Sequence, residues 1–440
     1  MNNSLKPTIY NTENELKGKN NVFFLITVLL TLFGLMYQII VQVIGIPVQL
    51  FALISFSLFL LEYVYNKREV TGNETILFSK RIFFFILWAL LYFIAKQFIS
   101  HTNSSNIIGF SISKPAMFVL TLSLIIIASS IYVQFSNSIS FVILVRIFTF
   151  VLVLNAIFSI RILLVNPNIM RMIAGGYYRV NGFSFSIIGI SGYAEIYTAS
   201  IIFPMIFGSI PLLKGRNKVF SILLSILVTV YVFMSALATA MIIILLGIIL
   251  VLYFRLSKKK KALLLPIIVL LLAVISNGKI ASQALMNTAG IINIPKYDQK
   301  IIDIVKSIDS NEATGLVEDR TMRYEKSIES FVSNPIIGIG FDRNSPFEVG
   351  DHATVIDIFG TLGILGGLPF VFFIYYSYII CKKRWENTPY FILVKVSFIN
   401  FIVIASVKSI MSSYPIFLTI VLFIPIIPHY IERLRNNTAQ

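Results

Sequence analysis

A polar stretch in the second half of the chain, residues 319–363, reads DRTMRYEKSIESFVSNPIIGIGFDRNSPFEVGDHATVIDIFGTLG. Its first part is rich in charge, and its last part enters a long apolar run. It belongs to a longer polar interval, residues 276–354, in an otherwise apolar sequence. This pattern indicates a folded loop that a membrane scaffold holds outside the bilayer.

The composition is that of an integral membrane protein. Hydrophobic residues make up 57% and charged residues 13% of the chain, and the mean hydropathy is +0.85. Soluble domains carry about 25% charged residues. Apolar runs near or above about 18 residues recur from Val22 to Pro428, and each can cross a hydrocarbon core of about 30 Å as a helix. The sequence therefore predicts an all-α polytopic membrane protein.

About twelve transmembrane helices are predicted. They lie at residues 22–40, 46–65, 82–98, 116–134, 139–165, 183–210, 219–236, 240–254, 262–275, 355–380, 391–407 and 415–428. The chain then divides into a transmembrane region at 1–275 with an outer loop at 166–182, a large extracytoplasmic loop at 276–354, and a second transmembrane region with a cytoplasmic tail at 355–440.

The large loop should contain helices, because structureless connections of this length are uncommon. One amphipathic helix is predicted around 301–308, where Ile301, Val305 and Ile308 recur at helical spacing. A second is indicated by an apolar series that Asn334-Pro335 should end. The members of that series are Tyr324, Ile328, Phe331 and Val332.

The formal net charge of +16 reflects membrane topology rather than nucleic-acid binding. Basic residues cluster in short segments between spans, as the positive-inside rule requires. With the N-terminus inside, both termini are cytoplasmic and the loops around Arg179 and His352 lie outside. A single cysteine, Cys381, excludes an intramolecular disulfide framework.

The candidate chemistry lies in the outer loops. The sequence contains no His-Glu-x-x-His zinc motif, P-loop or Rossmann fingerprint, so no metal or cofactor is expected. His352 follows Asp351, and a carboxylate neighbour can orient an imidazole or raise its pKa. The alternative is that His352 is an ordinary surface residue.

Three arginines are predicted on the outer face, where basic residues should be few: Arg179, Arg320 and Arg323. A guanidinium binds phosphate bidentately and stays charged, so converging arginines suit a diphosphate. The alternative for Arg320 and Arg323 is an ordinary salt bridge with a nearby acid. Charged residues inside or at the ends of spans are further functional candidates: Arg146, Arg161, Glu195, Lys395 and Lys408.

The order of these motifs resembles a known family. Asn334-Pro335-x-x-Gly338-x-Gly340, with Arg320 before it and His352 and Gly363 after it, is similar to the signature of the bacterial O-antigen ligase and repeat-unit polymerase superfamily. Arg179-Val180-Asn181-Gly182 resembles the upstream arginine motif of that family. Three features depart from the pattern. Ala353 stands where an asparagine often follows the histidine, and Thr361 stands where many members carry a glutamate. The turn Ser235-Ala236-Leu237-Ala238-Thr239 lacks the arginine that commonly follows such a turn in the family.

The resemblance implies a metal-independent glycosyltransferase of the bacterial cytoplasmic membrane. Its donor and acceptor would be undecaprenyl-diphosphate-linked glycans, joined into O-antigen, capsule or exopolysaccharide. Arg179 and Arg320, with Arg323 in support, would bind the diphosphate, and His352, oriented by Asp351, would act on the acceptor hydroxyl. The resemblance leaves open a ligase that transfers glycan to lipid A core, and a lipid-linked oligosaccharide flippase stays a further alternative. A chain-length regulator is a candidate partner, and nucleic acid is not.

Overall fold

A computed structural model describes most of the chain. The described residues are 72–99, 104–107, 110–135, 138–165, 192–235, 237–257, 316–342, 344–411 and 413–436, with the single positions 57, 169, 302 and 305. Several predicted segments lie outside this part of the chain. They are the spans at 22–40, 46–65 and 262–275, the loop that contains Arg179, and nearly all of the helix at 301–308.

The described residues are helical apart from short connections and one antiparallel hairpin, in which β1 (Ser104–Ile107) pairs with β2 (Phe110–Ser113). The helices, in chain order, are α1 (Gly72–Ile99), α2 (Lys114–Phe135), α3 (Ser138–Val165), α4 (Tyr193–Ser209), α5 (Gly215–Met234), α6 (Ala238–Arg255), α7 (Leu316–Ser333), α8 (Thr354–Trp385), α9 (Phe391–Val407), α10 (Tyr414–Leu418) and α11 (Ile424–Asn436). A π-helical turn, Thr419–Phe423, joins α10 to α11.

The prediction of a helical membrane protein is confirmed. Within the described residues, eight helical segments are long and apolar enough to cross a membrane, counting 414–436 as one, and α9 is a shorter apolar helix. Nine of the predicted spans fall on these segments. The total of twelve stays a prediction, because the remaining three spans lie outside the described residues.

Contacts between helix ends show which ends lie on the same side of the bundle, and they define two opposite layers. In one layer, the side chains of Tyr197 at the start of α4 and Thr239 at the start of α6 are hydrogen-bonded. The start of α8 also meets the end of α9 there. In the other layer, Asn217 Nδ2 donates to the Leu434 carbonyl over 2.9 Å, and Trp385 Nε1 donates to a carbonyl of the last span over 3.1 Å. We call the first layer the site end.

The helix predicted to end at Asn334-Pro335 is α7, which ends at Ser333. A residue that precedes proline is disfavoured in helical conformation, so this stop follows from the sequence. The buried face of α7 presents the small residues Ser327 and Ser330. A Cβ added to Gly360 of α8 would lie 2.8 Å from the Ser327 carbonyl oxygen. Small residues on both helices therefore let the two backbones approach closely.

The turn after α7 is inserted into a break in α8. Gly363 has φ 59° and ψ −157°, a conformation that interrupts the helix and that is essentially restricted to glycine. The break frees backbone donors of the next turn. The Ile364 N–H donates to the Pro335 carbonyl over 2.8 Å, and the Leu365 N–H donates to the Ile336 carbonyl over 3.0 Å. The Asn-Pro turn thus satisfies hydrogen bonds that a membrane helix cannot leave open.

Replacing Gly363 by alanine should destabilise the protein strongly. The residue would carry a strained backbone, which costs about 1–3 kcal/mol. Its Cβ would also lie 2.4 Å from the Ile336 carbonyl. Gly215→Ala is the matched control, because Gly215 also has a positive φ of 52° but no atom within 4 Å of its added Cβ. Unfolding in detergent should show a larger loss for Gly363→Ala; equal losses would refute the inserted turn.

Candidate functional site

Two of the predicted arginines lie on the first turns of α7. Arg320 and Arg323 are both exposed. Arg323 Nε donates to Asp319 Oδ1 over 3.2 Å, one turn earlier, and the two side chains are 45% and 53% exposed. Arg323 therefore forms the kind of salt bridge that was the alternative interpretation, and its role in diphosphate binding stays a prediction. An exposed pair of this kind contributes little to stability, so an incoming anion can replace the carboxylate at little cost.

A buried hydrogen-bond network fixes the loop that carries His352. Ser327 Oγ donates to Asp357 Oδ1 over 2.7 Å and accepts from the Gly350 N–H over 2.9 Å. The Ala353 N–H donates to Asp357 Oδ2 over 2.8 Å. The Asp357 side chain, in the first turns of α8, thus links α7 to the loop. The two residues that bracket Asp351 and His352 are both held, so the histidine has a defined place.

Lys408 is brought to the same place by the start of α8. Its carbonyl accepts from the Thr354 N–H over 3.2 Å and from Thr354 Oγ1 over 3.0 Å. Thr354 Oγ1 in turn accepts from the Ile410 N–H over 2.7 Å. Lys408 directly follows α9, which ends at Val407 as the sequence predicts. Lys408 therefore lies at the site end of the bundle, next to the residue that follows Ala353.

The His352 imidazole packs against Tyr324 of α7, with 5.9 Å between the ring centroids. Its Nε2 atom is buried, and no described residue hydrogen-bonds to it. Asp351 is exposed and has a positive φ of 50°. Among the described residues no hydrogen bond joins Asp351 to His352, and the orienting role of Asp351 stays a prediction. The backbone at Gly350 and Ala353 holds the histidine in place.

The electrostatics around His352 are cationic. Burial lowers the pKa of His352 to about 4, and three neighbouring positive charges act in the same direction. These charges are Lys408, Arg320 and Arg323. The sequence suggested that a carboxylate could raise this pKa. Asp319 does act in that direction, but burial and the three cations outweigh it. Burial, followed by the charges of Arg320 and Arg323, also lowers the pKa of Lys408 to about 8. Near neutral pH the imidazole is uncharged, and the cations around it repel one another.

Two site residues were not identified from the sequence. Asp357 is a buried acid in the first turns of a span, which is a signal in itself because such positions are expensive. Lys96, near the end of α1, interacts with the charges of Asp351 and Asp357 and with the Tyr92 hydroxyl. Nothing local in the sequence links Lys96 to a loop more than two hundred residues away. Only the packing of α1 against α8 brings them together.

The other charged candidates have separate surroundings. Arg146 is hydrogen-bonded to Tyr430, and Lys395 Nζ lies 4.4 Å from the Phe254 ring centroid; both are away from the site end. Arg161 is exposed on α3. Glu195, in the first turn of α4, is buried with no described hydrogen-bond partner at Oε2. Arg179 lies outside the described residues.

The arrangement can bind an anion next to a neutral imidazole. Arg320, Arg323 and Lys408 supply guanidinium and ammonium donors, and only Arg323 has an acidic partner among the described ion pairs. The buried Nε2 of His352 is available to exchange a proton or a hydrogen bond with a bound hydroxyl. This combination suits a reaction in which an anionic group leaves while a hydroxyl is activated.

Removing one of the cations should raise the pKa of His352. In Lys408→Gln, the pKa of His352 should rise from about 4 toward its ordinary value, but not reach it, because burial remains. Lys395→Gln is the control, since Lys395 lies over Phe254 and away from the site. NMR titration of labelled histidine, assigned with His352→Ala, measures both. An unchanged pKa in Lys408→Gln would contradict the cationic cluster.

Comparison with known proteins gives one match. Residues 223–371 match a family model described as O-Antigen ligase. The matched stretch includes Arg320, Arg323, the Asn334-Pro335 turn and His352. It confirms the resemblance to the O-antigen ligase and polymerase superfamily. No curated protein matches the chain.

Proposed function

We propose that this protein is a repeat-unit polymerase, a membrane glycosyltransferase that joins undecaprenyl-diphosphate-linked oligosaccharides into O-antigen, capsule or exopolysaccharide. The family match implies a membrane enzyme of the O-antigen ligase and polymerase type. The observation that carries the proposal is the cationic cluster around the unpartnered Nε2 atom of His352. Donor diphosphate and acceptor hydroxyl each find a matching group there.

The cations would bind the diphosphate of the donor. Arg320, Arg323 and Lys408 repel one another in the free site. Burial and this repulsion together lower the pKa of Lys408. A bound diphosphate would relieve this repulsion and accept bidentate hydrogen bonds from the guanidinium groups. The same contacts would stabilise the charge that develops as the lipid diphosphate leaves. Arg179 is a further proposed ligand, from the earlier loop.

His352 would act on the acceptor hydroxyl. Its neutral imidazole can accept the hydroxyl proton as the oxygen attacks the anomeric carbon of the donor. An imidazole with a pKa of about 4 is a weak base, but a bound diphosphate would offset the positive charges and raise that pKa toward the working range. Donor binding would thus prepare the base. Transfer would then follow only when both substrates are present.

The distribution of charge favours a site on the outer face of the cytoplasmic membrane. Basic residues cluster at the end opposite the site: Lys214, Arg216 and Lys218 at the start of α5, Lys382, Lys383 and Arg384 at the end of α8, and Arg433 and Arg435 in α11. Short basic segments of this kind are retained on the cytoplasmic side. The opposite face would then be the outer one, where lipid-linked glycans are polymerised.

Polymer formation should depend on both parts of the site. His352→Ala should lower the rate by about 10²–10⁴-fold, as expected on losing a general base. Arg320→Gln should raise the donor KM and lower kcat. The substitution removes a positive charge that would contact the diphosphate both in the bound donor and in the transition state. The measurement is chain extension by purified protein with labelled lipid-linked repeat units. Arg433→Gln, an exposed change at the other end, should be silent. A full ladder of products from His352→Ala would rule out the mechanism.

The ligase reading is a second candidate, because the matched family model is described as O-Antigen ligase. Both enzymes use the same donor chemistry, so site variants do not separate them. A glycan gel from cells lacking this protein does. Loss of a polymerase leaves a single repeat unit on the acceptor, whereas loss of a ligase removes all attached glycan. We expect the single repeat unit.

Diphosphate binding should weaken as the pH rises through about 8, because Lys408 loses its proton there. The decrease should approach tenfold per pH unit until the pKa of Lys408 in the complex is reached. In Lys408→Arg the added charge persists, so binding should stay constant over the same range. Calorimetric titration with pyrophosphate gives both curves. Parallel curves would exclude Lys408 from the site.

A further inference from the structure

Arg81 of α1 is buried at the end of the bundle opposite the site. Arg81 is only 1% exposed, whereas the adjacent Lys80 is exposed. A basic side chain at this position along α1 can therefore reach the surface, as long cationic side chains near the ends of membrane helices usually do. Membrane topology accounts for Lys80, but it does not account for the inward direction of Arg81.

The Arg81 guanidinium has unused hydrogen-bond donors. Its Nε and Nη1 atoms are buried without a hydrogen-bond partner, and no acid in the described ranges forms an ion pair with it. The Phe78 ring lies nearby, with 5.8 Å between Cζ and the ring centroid. Such a contact offsets only part of the free energy that is lost when a charge is removed from water. The buried guanidinium therefore needs an anionic partner.

A second guanidinium lies close to the first. Arg81 interacts electrostatically with Arg384 and Cys381 of α8, and Arg384 Nη2 donates to the Val133 carbonyl near the end of α2 over 3.4 Å. The next residue, Gln134, is buried, and its Nε2 atom has no hydrogen-bond partner. Three helices thus place two like charges close together, with an amide donor beside the second. This arrangement is unfavourable unless an anion offsets the repulsion.

We propose that Arg81 and Arg384 bind a phosphate group at this end of the bundle. Phosphate oxygens would accept hydrogen bonds from the buried Nε and Nη1 atoms of Arg81, and the planar, permanently charged guanidinium suits them. The phosphate would come from the headgroup of an anionic lipid, since basic pockets between membrane helices bind such headgroups, or from free phosphate. The proposal is independent of the proposed function, because it concerns the opposite end of the molecule.

Binding of dioleoyl phosphatidylglycerol to the purified protein, measured by native mass spectrometry, tests the proposal. Arg81→Gln should weaken binding about tenfold or more, because hydrogen bonds to a charged group are lost. Lys80→Gln is the matched control, since it removes one positive charge from the adjacent exposed position, and it should bind as the wild type does. Equal losses in the two variants would show attraction by surface charge alone and would overturn the proposal.

Thermal unfolding of the delipidated protein separates binding from folding. Without ligand, Arg81→Gln should be at least as stable as the wild type, because it removes a buried charge that has no partner. Added phosphatidylglycerol should stabilise the wild type and not Arg81→Gln. Arg81→Lys, which keeps the charge but loses the planar donors, should respond less than the wild type.

Inorganic phosphate distinguishes the two sources of the ligand. Stabilisation of the wild type by phosphatidylglycerol alone would identify a lipid headgroup, and equal stabilisation by inorganic phosphate would identify a soluble anion. In either case the effect should be lost in Arg81→Gln and kept in Lys80→Gln. The proposal is overturned if neither ligand stabilises the wild type, or if Arg81→Gln responds as the wild type does.

Discussion

The site depends on one set of backbone hydrogen bonds. In it, carbonyl groups of the turn after Asn334 accept from N–H groups that the break of α8 at Gly363 leaves free. A break in a membrane helix exposes donors that lipid cannot satisfy. Here a loop outside the helix satisfies them. The two backbone segments lie so close that glycine is required in both, at Gly338 and Gly363. The break and the turn therefore stabilise each other, and α7 is held at a fixed distance from α8.

A polar network next to this turn fixes the loop that carries His352 relative to α7. Asp357 accepts hydrogen bonds from Ser327 of α7 and from the Ala353 backbone, so one carboxylate links the helix that carries the arginines to the loop that carries the histidine. Buried polar networks are costly unless every member is satisfied. Movement of α7 would remove Ser327 from Asp357 Oδ1 and from the Gly350 N–H, which restrains the arginines relative to His352. Fixed positions of the reacting groups would favour the transfer that is proposed for this site.

Local patterns in the sequence predicted a good part of this arrangement. The proline after Asn334 marked the end of α7, and apolar runs located nine spans within the described residues. The orienting role of Asp351 stays a prediction, because adjacency in sequence says nothing about side-chain direction. Asp351 adopts a positive φ and makes no hydrogen bond to His352 among the described residues. Asp357, Lys96 and the place of Lys408 depend on which helix ends meet. That is decided by packing between distant segments, which no local pattern in one sequence contains.

The location of the site at the end of a membrane bundle changes the pKa values of its ionisable groups. Arg320 and Arg323 are exposed, whereas His352 and Lys408 are partly buried. Burial, together with the charges of the two arginines, lowers the pKa values of His352 and Lys408. A bound anion would therefore relieve the repulsion between the cations of the free site. In the proposed function this anion is the diphosphate of the donor, and its charge would also raise the pKa of His352, so that donor binding and activation of the base would be coupled.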